Sequence, residues 1–370
     1  MPARRAGVGR SHVHRLWHLP LRAVRVEGSG ALHRVRGEGG GGRRVNGVDF
    51  GGLGVAIGHA TDEDGGTGLT VVRGLDGPRR GAAHVIGRAS GTRELHVLHP
   101  EHLVDRVDAI LLTGGSAYGL DAAAGVMKWM EEDGRGFPAG PGVVPIVPAA
   151  VIYDLTPCGR FDARPNPEMA YAACRDAVVS DVAEGSIGAG TGATVGKGGG
   201  IERAMKGGVG CAVERSGGLV VGAISVVNAF GDVRDGTGAI VAGARSETGF
   251  ADTIRWLTLP GGPRRFSDAQ GRNTTISVVM TNVAMDKVAL TQVARAASAA
   301  YYQRITPVGT AFDGDIIFAL CPLTGPTGTP LGVEALAARA LSIAIERAVR
   351  LARGRDGVPG LADLVAPPSR

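Results

Sequence analysis

From about residue 48 onward, apolar positions recur with two periods, one of two residues and one near 3.6. Segments 50–57 and 68–73 predict strands joined by turns. Residues 105–113 (DRVDAILLT) end in a continuous apolar run and predict a buried strand. A tight turn follows at Gly114, Gly115 and Ser116. It leads into a helix on which Leu120, Ala123, Ala124, Met127 and Met130 share one face, ended by Gly134. Segment 143–153 predicts a strand that carries Pro145 and Pro148, which assigns it to a sheet edge or a bulge. Residues 167–181 predict a helix, 185–200 a Gly/Thr loop and 218–228 a strong strand. Residues 259–273 are polar and rich in Gly and Pro, the composition of an exposed loop. They run directly into 274–281 (TTISVVMT), one of the most strand-like stretches of the chain. A helix over about 286–303 places Val288, Val293, Ala296, Ala297 and Ala300 on one side. A strand near 316–321 and an amphipathic helix over 332–353 complete the pattern. Strands and helices are intermixed without an internal repeat or a central linker. One α/β domain over 47–370 is the expectation.

Composition narrows the class. A chain of 370 residues with 44% hydrophobic and 20% charged residues is globular rather than disordered. Its 61 glycines follow no G-X-Y period, which excludes collagen. No apolar run reaches the roughly 18 residues of a membrane-spanning helix, so no membrane partner is expected. The charge is uneven: residues 1–45 hold ten Arg against two Glu, whereas the remainder holds 30 basic against 33 acidic residues. The basic balance therefore belongs to the first 45 residues, and no nucleic-acid partner is expected for the domain. Residues 1–46 are expected to be a disordered basic extension, or a start assigned too far upstream. The four cysteines (Cys158, Cys174, Cys211, Cys321) are far apart with no CxxC. That usage suits a reduced, cytoplasmic compartment and neither a zinc site nor a disulfide framework.

All nine histidines lie within the first 102 residues. An HExxH zinc site is absent, and a histidine base could come only from the first third of the chain. Residues 188–193 (GAGTGA) match the G-x-G-x-x-A dinucleotide fingerprint, but no strand precedes them and no well-placed acidic residue follows. Residues 191–197 approach a P-loop, yet Thr191 stands where the first Gly should be and Gly198 replaces the needed hydroxyl residue. No cofactor is expected. Ser116 sits at a strand–turn–helix junction like a nucleophile elbow, but Tyr118 replaces its second Gly and no histidine follows. Asp313 and Asp315 flank Gly314 just before a strand. The pair is a solvated turn or half of a cation site, and no third hard ligand stands near it in sequence.

The junction of Asn273 and Thr274 needs most explanation. A flexible polar loop passes abruptly into a buried strand whose first residue carries a hydroxyl. A hydroxyl nucleophile needs a base. Where histidine is missing, an N-terminal Thr can use its own α-amine, whose pKa of about 7.7–8.0 suits the task. Thr274 is internal, so its amine must be released by cutting the Asn273–Thr274 bond. The plain alternative is an ordinary loop-to-strand boundary.

Residues 271–283 (GRNTTISVVMTNV) followed by 310–320 (TAFDGDIIFAL) resemble the DmpA-like peptidase family. That family includes L-aminopeptidase/D-esterases, β-peptidyl aminopeptidases and, with the greatest likeness, the nylon-oligomer (6-aminohexanoate oligomer) hydrolase branch. Further ordered matches are GVAIGHAT at 54–61, SGTRE at 90–94, TGGSAYGLDAAA at 113–124, AVIYD at 150–154, GAGTGATVGK at 188–197, VVNAFG at 226–231 and AGARSE at 242–247. They span about 47–352. The resemblance implies an αββα sandwich similar to the N-terminal-nucleophile hydrolases, with DmpA-like connectivity. It implies self-cleavage after Asn273 into a large chain (47–273) and a small chain (274–370), and a homotetramer of processed heterodimers. Thr274 would be the nucleophile, with Asp313 and Asp315 as the pair that supports it. Lys197 and Tyr153 would be site residues and Asn228 the oxyanion donor. Backbone N–H groups of Gly114, Gly115 and Ser116 are expected to line the pocket. The reaction implied is hydrolysis of small peptides or linear amide oligomers. Two rivals keep the same fold: an amine acyltransferase of the ornithine acetyltransferase kind, and a non-catalytic binding protein in which the 273–274 bond stays intact.

Overall fold

The computed structural model describes residues 48–258 and 273–364. The expected basic extension at 1–46 and nearly all of the expected loop at 259–273 lie outside the described residues. Ten strands build two five-stranded sheets: β1 (Val55–Asp62), β2 (Thr67–Gly74), β3 (Arg80–Val85), β4 (Thr92–Arg93), β5 (Ala109–Thr113), β6 (Ala149–Val151), β7 (Gly208–Ser216), β8 (Leu219–Asn228), β9 (Thr274–Thr281) and β10 (Ile316–Cys321). The first sheet runs β1-β2-β5-β6-β4 and the second β7-β8-β9-β10-β3. Each has the same sequence of pairings, namely antiparallel, antiparallel, parallel, antiparallel.

Three apolar layers follow from the strand period. Ile57, Val72, Ile110 and Leu112 of the first sheet face Ile224, Val226, Ile276, Val278 and Phe318 of the second. The opposite face of the first sheet, with Leu69, Val71 and Leu111, packs on helices α1 (Ala123–Glu132) and α2 (Pro167–Arg175). The opposite face of the second sheet, with Ala223, Val279 and Ala319, packs on α3 (Lys287–Ala297), α4 (Ala299–Arg304) and α5 (Pro330–Arg350). This is the expected αββα sandwich. Every residue of β9 is buried, so each large apolar side chain on it contributes about 1.5–3 kcal/mol of burial.

Several expected elements differ in the structure. The first strand begins at Val55, not at residue 50; Phe50 and Leu53 instead sit in a turn with glycines 52 and 54 at positive φ and plug the layer between the sheets. Segment 143–153 splits around its prolines. Gly142–Val144 pairs with Phe137–Ala139, while β6 lies inside the first sheet between β5 and β4, not at an edge. Pro148 is tolerated there because its carbonyl accepts the Leu111 N–H at 3.0 Å and it need not donate. Helix α2 stops at Arg175, because Val178 exchanges backbone hydrogen bonds with Ile57 and is drawn off as an extended residue. The helix expected over 286–303 is interrupted at Ser298, and Val288 faces solvent rather than the core. The last helix runs from Pro330 to Arg350, set two to three residues before the expected 332–353.

Strands β3 and β7 were not predicted. In β7 the signal is broken by glycines that serve packing. A Cβ on Gly210 would lie 2.0 Å from the Ala344 carbonyl oxygen of α5, so glycine lets the longest helix lie flat on the sheet. Gly210→Ala is expected to destabilise the protein by about 1–3 kcal/mol through this overpacking. A melting curve followed by circular dichroism tests it, and an unchanged midpoint would refute the packing account.

Candidate active site

Side chains alternate along β9, and Ile276, Val278 and Met280 point into the layer between the sheets. Thr274 has the same parity, so its side chain lies on that face at the start of the strand. Asn228, the last residue of β8, is the register partner of Thr274 and shares parity with Val226 of the same layer. Directly opposed residues on one face of an antiparallel pair have Cβ atoms about 4.5–5.5 Å apart. On the other side, the parallel register Ile276 to Ile316 continues backward as a bridge between Asn273 and Asp313. Sheet pairing thus gathers residues 228, 273–275 and 313–315, far apart in sequence, at one end of the second sheet.

The polar contacts are dense. The Thr274 hydroxyl donates to the Asn273 carbonyl oxygen at 2.5 Å. The Gly314 N–H donates to the same oxygen at 2.9 Å. Lys197 ends the GATVGK segment, in a turn that begins with Gly196 at φ 72°. Its buried ammonium donates to the Asn228 side-chain oxygen at 2.8 Å and to the Asn228 main-chain oxygen at 3.0 Å. The Asn228 side-chain oxygen also accepts the Thr194 N–H at 3.0 Å, and its amide nitrogen donates to the Tyr153 carbonyl at 3.2 Å. Asp313 accepts the N–H and the hydroxyl of Thr310 at 2.8 and 2.7 Å. Asp315 accepts the Thr275 N–H at 2.6 Å on one oxygen and the Gly309 N–H at 3.0 Å on the other.

Burial governs the ionisation of this cluster. Loss of hydration pulls the Lys197 ammonium down to about 7, against the opposing pull of Asp313. Burial likewise raises the Asp313 carboxyl. Asp315 is raised by burial and then by the charge of Asp313. A lysine near neutrality beside carboxyls held up from their usual range can pass protons at physiological pH.

The structure brings Thr274, Asn273, Asn228, Lys197, Asp313 and Asp315 together. Tyr153 joins them through its main-chain oxygen, which Asn228 contacts. The Gly114–Ser116 turn needs correction. Its N–H groups are spent inside the fold, on Gly68 O at 2.8 Å, on an Asp154 carboxylate oxygen at 2.6 Å and on Ile152 O at 3.0 Å. They have no hydrogen to turn toward a pocket. Thr194 and Thr310, which fix Asn228 and Asp313, had no signal beyond their closeness to residues already singled out. Asp154 was missed although it ends the AVIYD match. It is wholly buried, accepts the Thr67 hydroxyl at 2.6 Å and is raised to about 6, mainly by burial.

A family model described as peptidase family S58 matches residues 52–353. An uncharacterized aminopeptidase of Mycobacterium leprae is 38% identical over 348 residues, covering 84% of this chain and 92% of the relative. A 6-aminohexanoate-oligomer endohydrolase of Kocuria sp. is 33% identical over 295 residues, covering 75% of each. Among solved structures, a Burkholderia sp. β-aminopeptidase superposes with a TM-score of 0.62 at 20% identity, over 85% of this chain and 92% of that one. The L-aminopeptidase D-Ala-esterase/amidase of Ochrobactrum anthropi, described as a variant of the Ntn hydrolase fold, gives 0.61 at 19% identity over 81% and 85%. These two likenesses establish the fold.

Because both Asp315 oxygens accept backbone N–H groups, Asp315→Asn would turn an amide NH2 toward one of them. That substitution is expected to cost about 1–3 kcal/mol for the buried donor left unpaired. Denaturant titration against the parent chain measures it, and a neutral result would mean that Asp315 does not hold both segments.

Proposed function

The chain belongs to peptidase family S58, and from that premise we propose that this peptide- and amide-bond hydrolase makes its own N-terminal threonine nucleophile by cutting between Asn273 and Thr274. The observation that carries the reading is the Thr274 hydroxyl, hydrogen-bonded at 2.5 Å to the carbonyl of the bond it would cut. With C=O near 1.23 Å, that oxygen is within about 3.7 Å of the carbonyl carbon, close to attack range. The uncut chain has no free amine at position 274, so the first attack needs a side-chain base. Lys197, lowered to about 7, is the candidate.

Once cut, the Thr274 α-amine takes over as base. The hydroxyl attacks the substrate carbonyl, the amine carries the proton to the leaving amine, and water releases the acyl-enzyme. Asn228 is the proposed oxyanion donor. Asp313 and Asp315 hold the ammonium groups of Lys197 and of the new N-terminus in place. The proposed substrates are small peptides with a free amine end or linear amide oligomers, the classes named for the relatives, 6-aminohexanoate oligomers included. Among the described residues no helix is long and apolar enough to cross a membrane.

Intact mass under denaturing conditions is expected to give wild-type fragments of 273 and 97 residues, the smaller starting at Thr274, and one uncut 370-residue chain for Thr274→Ala. A wild-type chain that stays whole for days sinks the reading. The rate of self-cleavage should rise with pH through about 7, because Lys197 must be neutral to accept the proton, and level off above. Lys197→Arg, which keeps its charge, should cleave about 100-fold more slowly or worse. A rate independent of pH from 5 to 9 would remove Lys197 from that role.

A further inference from the structure

We propose that the main-chain N–H of Gly314 is the oxyanion donor of the self-cleavage step. The inference rests on the self-cleavage reading above and adds a catalytic group to it. When the Thr274 oxygen attacks, the Oγ–C bond forms and negative charge develops on the Asn273 carbonyl oxygen. A donor useful at that moment must already be aimed at that oxygen, at about 2.7–3.1 Å. Gly314 N–H is there at 2.9 Å. The Thr274 hydroxyl also donates to this oxygen, but it surrenders its hydrogen as it becomes the nucleophile. Gly314 cannot lose its hydrogen and stays.

The rest of the step balances. The charge returns to the carbonyl as the C–N bond breaks, and the hydroxyl proton passes through the base to the Thr274 nitrogen. Water then cleaves the resulting ester, leaving the Asn273 carboxylate and restoring the hydroxyl.

Two features bind the donor to this task rather than to sheet pairing alone. First, a Cβ at position 314 would lie 2.8 Å from the Thr274 hydroxyl oxygen and 2.8 Å from the Ala89 carbonyl. No left-handed φ requires glycine here, so the need is for space against the nucleophile and against the backbone of Ala89 and Ser90. Second, a neighbouring backbone bond, Ala89 N–H to Asp313 O at 2.9 Å, holds the same segment without touching the scissile carbonyl. Of the two bonds only that of Gly314 reaches the Asn273 oxygen, so the other supplies a control.

The test replaces Gly314 by glycolic acid in the full chain, exchanging one backbone amide for an ester and deleting the N–H with no side chain added. A second chain carries lactic acid at Ala89. Self-cleavage should slow about 100- to 1000-fold in the first and stay within a few-fold of wild type in the second. Equal rates for the two esters, whether both fast or both slow, would overturn the inference. A wild-type chain that never cleaves would instead fail the self-cleavage reading. If the Gly314 ester does not fold, a crystal structure of uncut Thr274→Ala decides. Gly314 N within about 3.2 Å of the Asn273 oxygen supports the assignment, and a separation beyond about 3.5 Å overturns it.

Discussion

The site depends on one constraint, the register of β9 between an antiparallel and a parallel neighbour. Because Thr274 faces Asn228 on one side and Asn273 bridges Asp313 on the other, three distant segments acquire fixed relations without any loop having to be precise. A slip of one residue would turn Thr274 to the helix-covered face and bring Thr275 to the layer between the sheets. The apolar positions of β9 forbid that slip, since Ile276, Val278 and Met280 fill one layer and Val279 the other. Core packing therefore sets the chemistry.

The same constraint creates an electrostatic problem. The strand end is buried, and charges placed there lose their hydration. The fold answers with backbone dipoles. Lys197 rests on oxygens of Asn228, and Asp313 and Asp315 take N–H groups of Thr310, Thr275 and Gly309. A similar arrangement occurs at a second buried lysine. Lys206 donates to the carbonyls of Thr191 and Ala193, and burial lowers it to about 8. Buried lysine capped by main-chain oxygen is thus a recurrent structural device here, and depression of its pKa alone would not mark a site. What distinguishes Lys197 is that its carbonyl and amide partner, Asn228, sits across from Thr274.

Much of this was legible in the sequence, for reasons that differ by residue. Thr274 stood out because a Gly/Pro-rich stretch met a β-branched run with no transition, and because the absence of histidine after residue 102 demanded another base. The α/β mixture was accessible through strand and helix periods, and the αββα sandwich through the family resemblance. Strands β3 and β7 were not: Gly208 and Gly210 of β7 accommodate backbone contacts, and Gly81 of β3 lies against the side chains of Leu98 and Val107, contacts that exist only after folding. The Gly114–Ser116 turn misled because a glycine turn between a strand and a helix suggests ligand contact, whereas here the close approach is to Asp154 and Thr67 of the same fold. Asp154 itself was hidden, as a lone carboxylate whose role is to satisfy interior donors carries no spacing signature.

On the proposed reading, a cut after Asn273 would ask little of this fold. Thr274 would stay paired to Asn228, with β9 laddered to β8 along its whole length and to β10 from Ile276 to Met280. A new N-terminus at Thr274 would therefore be held by the pairing with β8 and by burial on both faces. On that reading the Asn273 carbonyl, once released, would be able to withdraw from the space before the hydroxyl. A substrate carbonyl can then enter where the protein's own carbonyl stood, facing the same nucleophile. Self-cleavage and turnover would in this way use one arrangement of backbone and side chains, with the first event clearing the ground for the second.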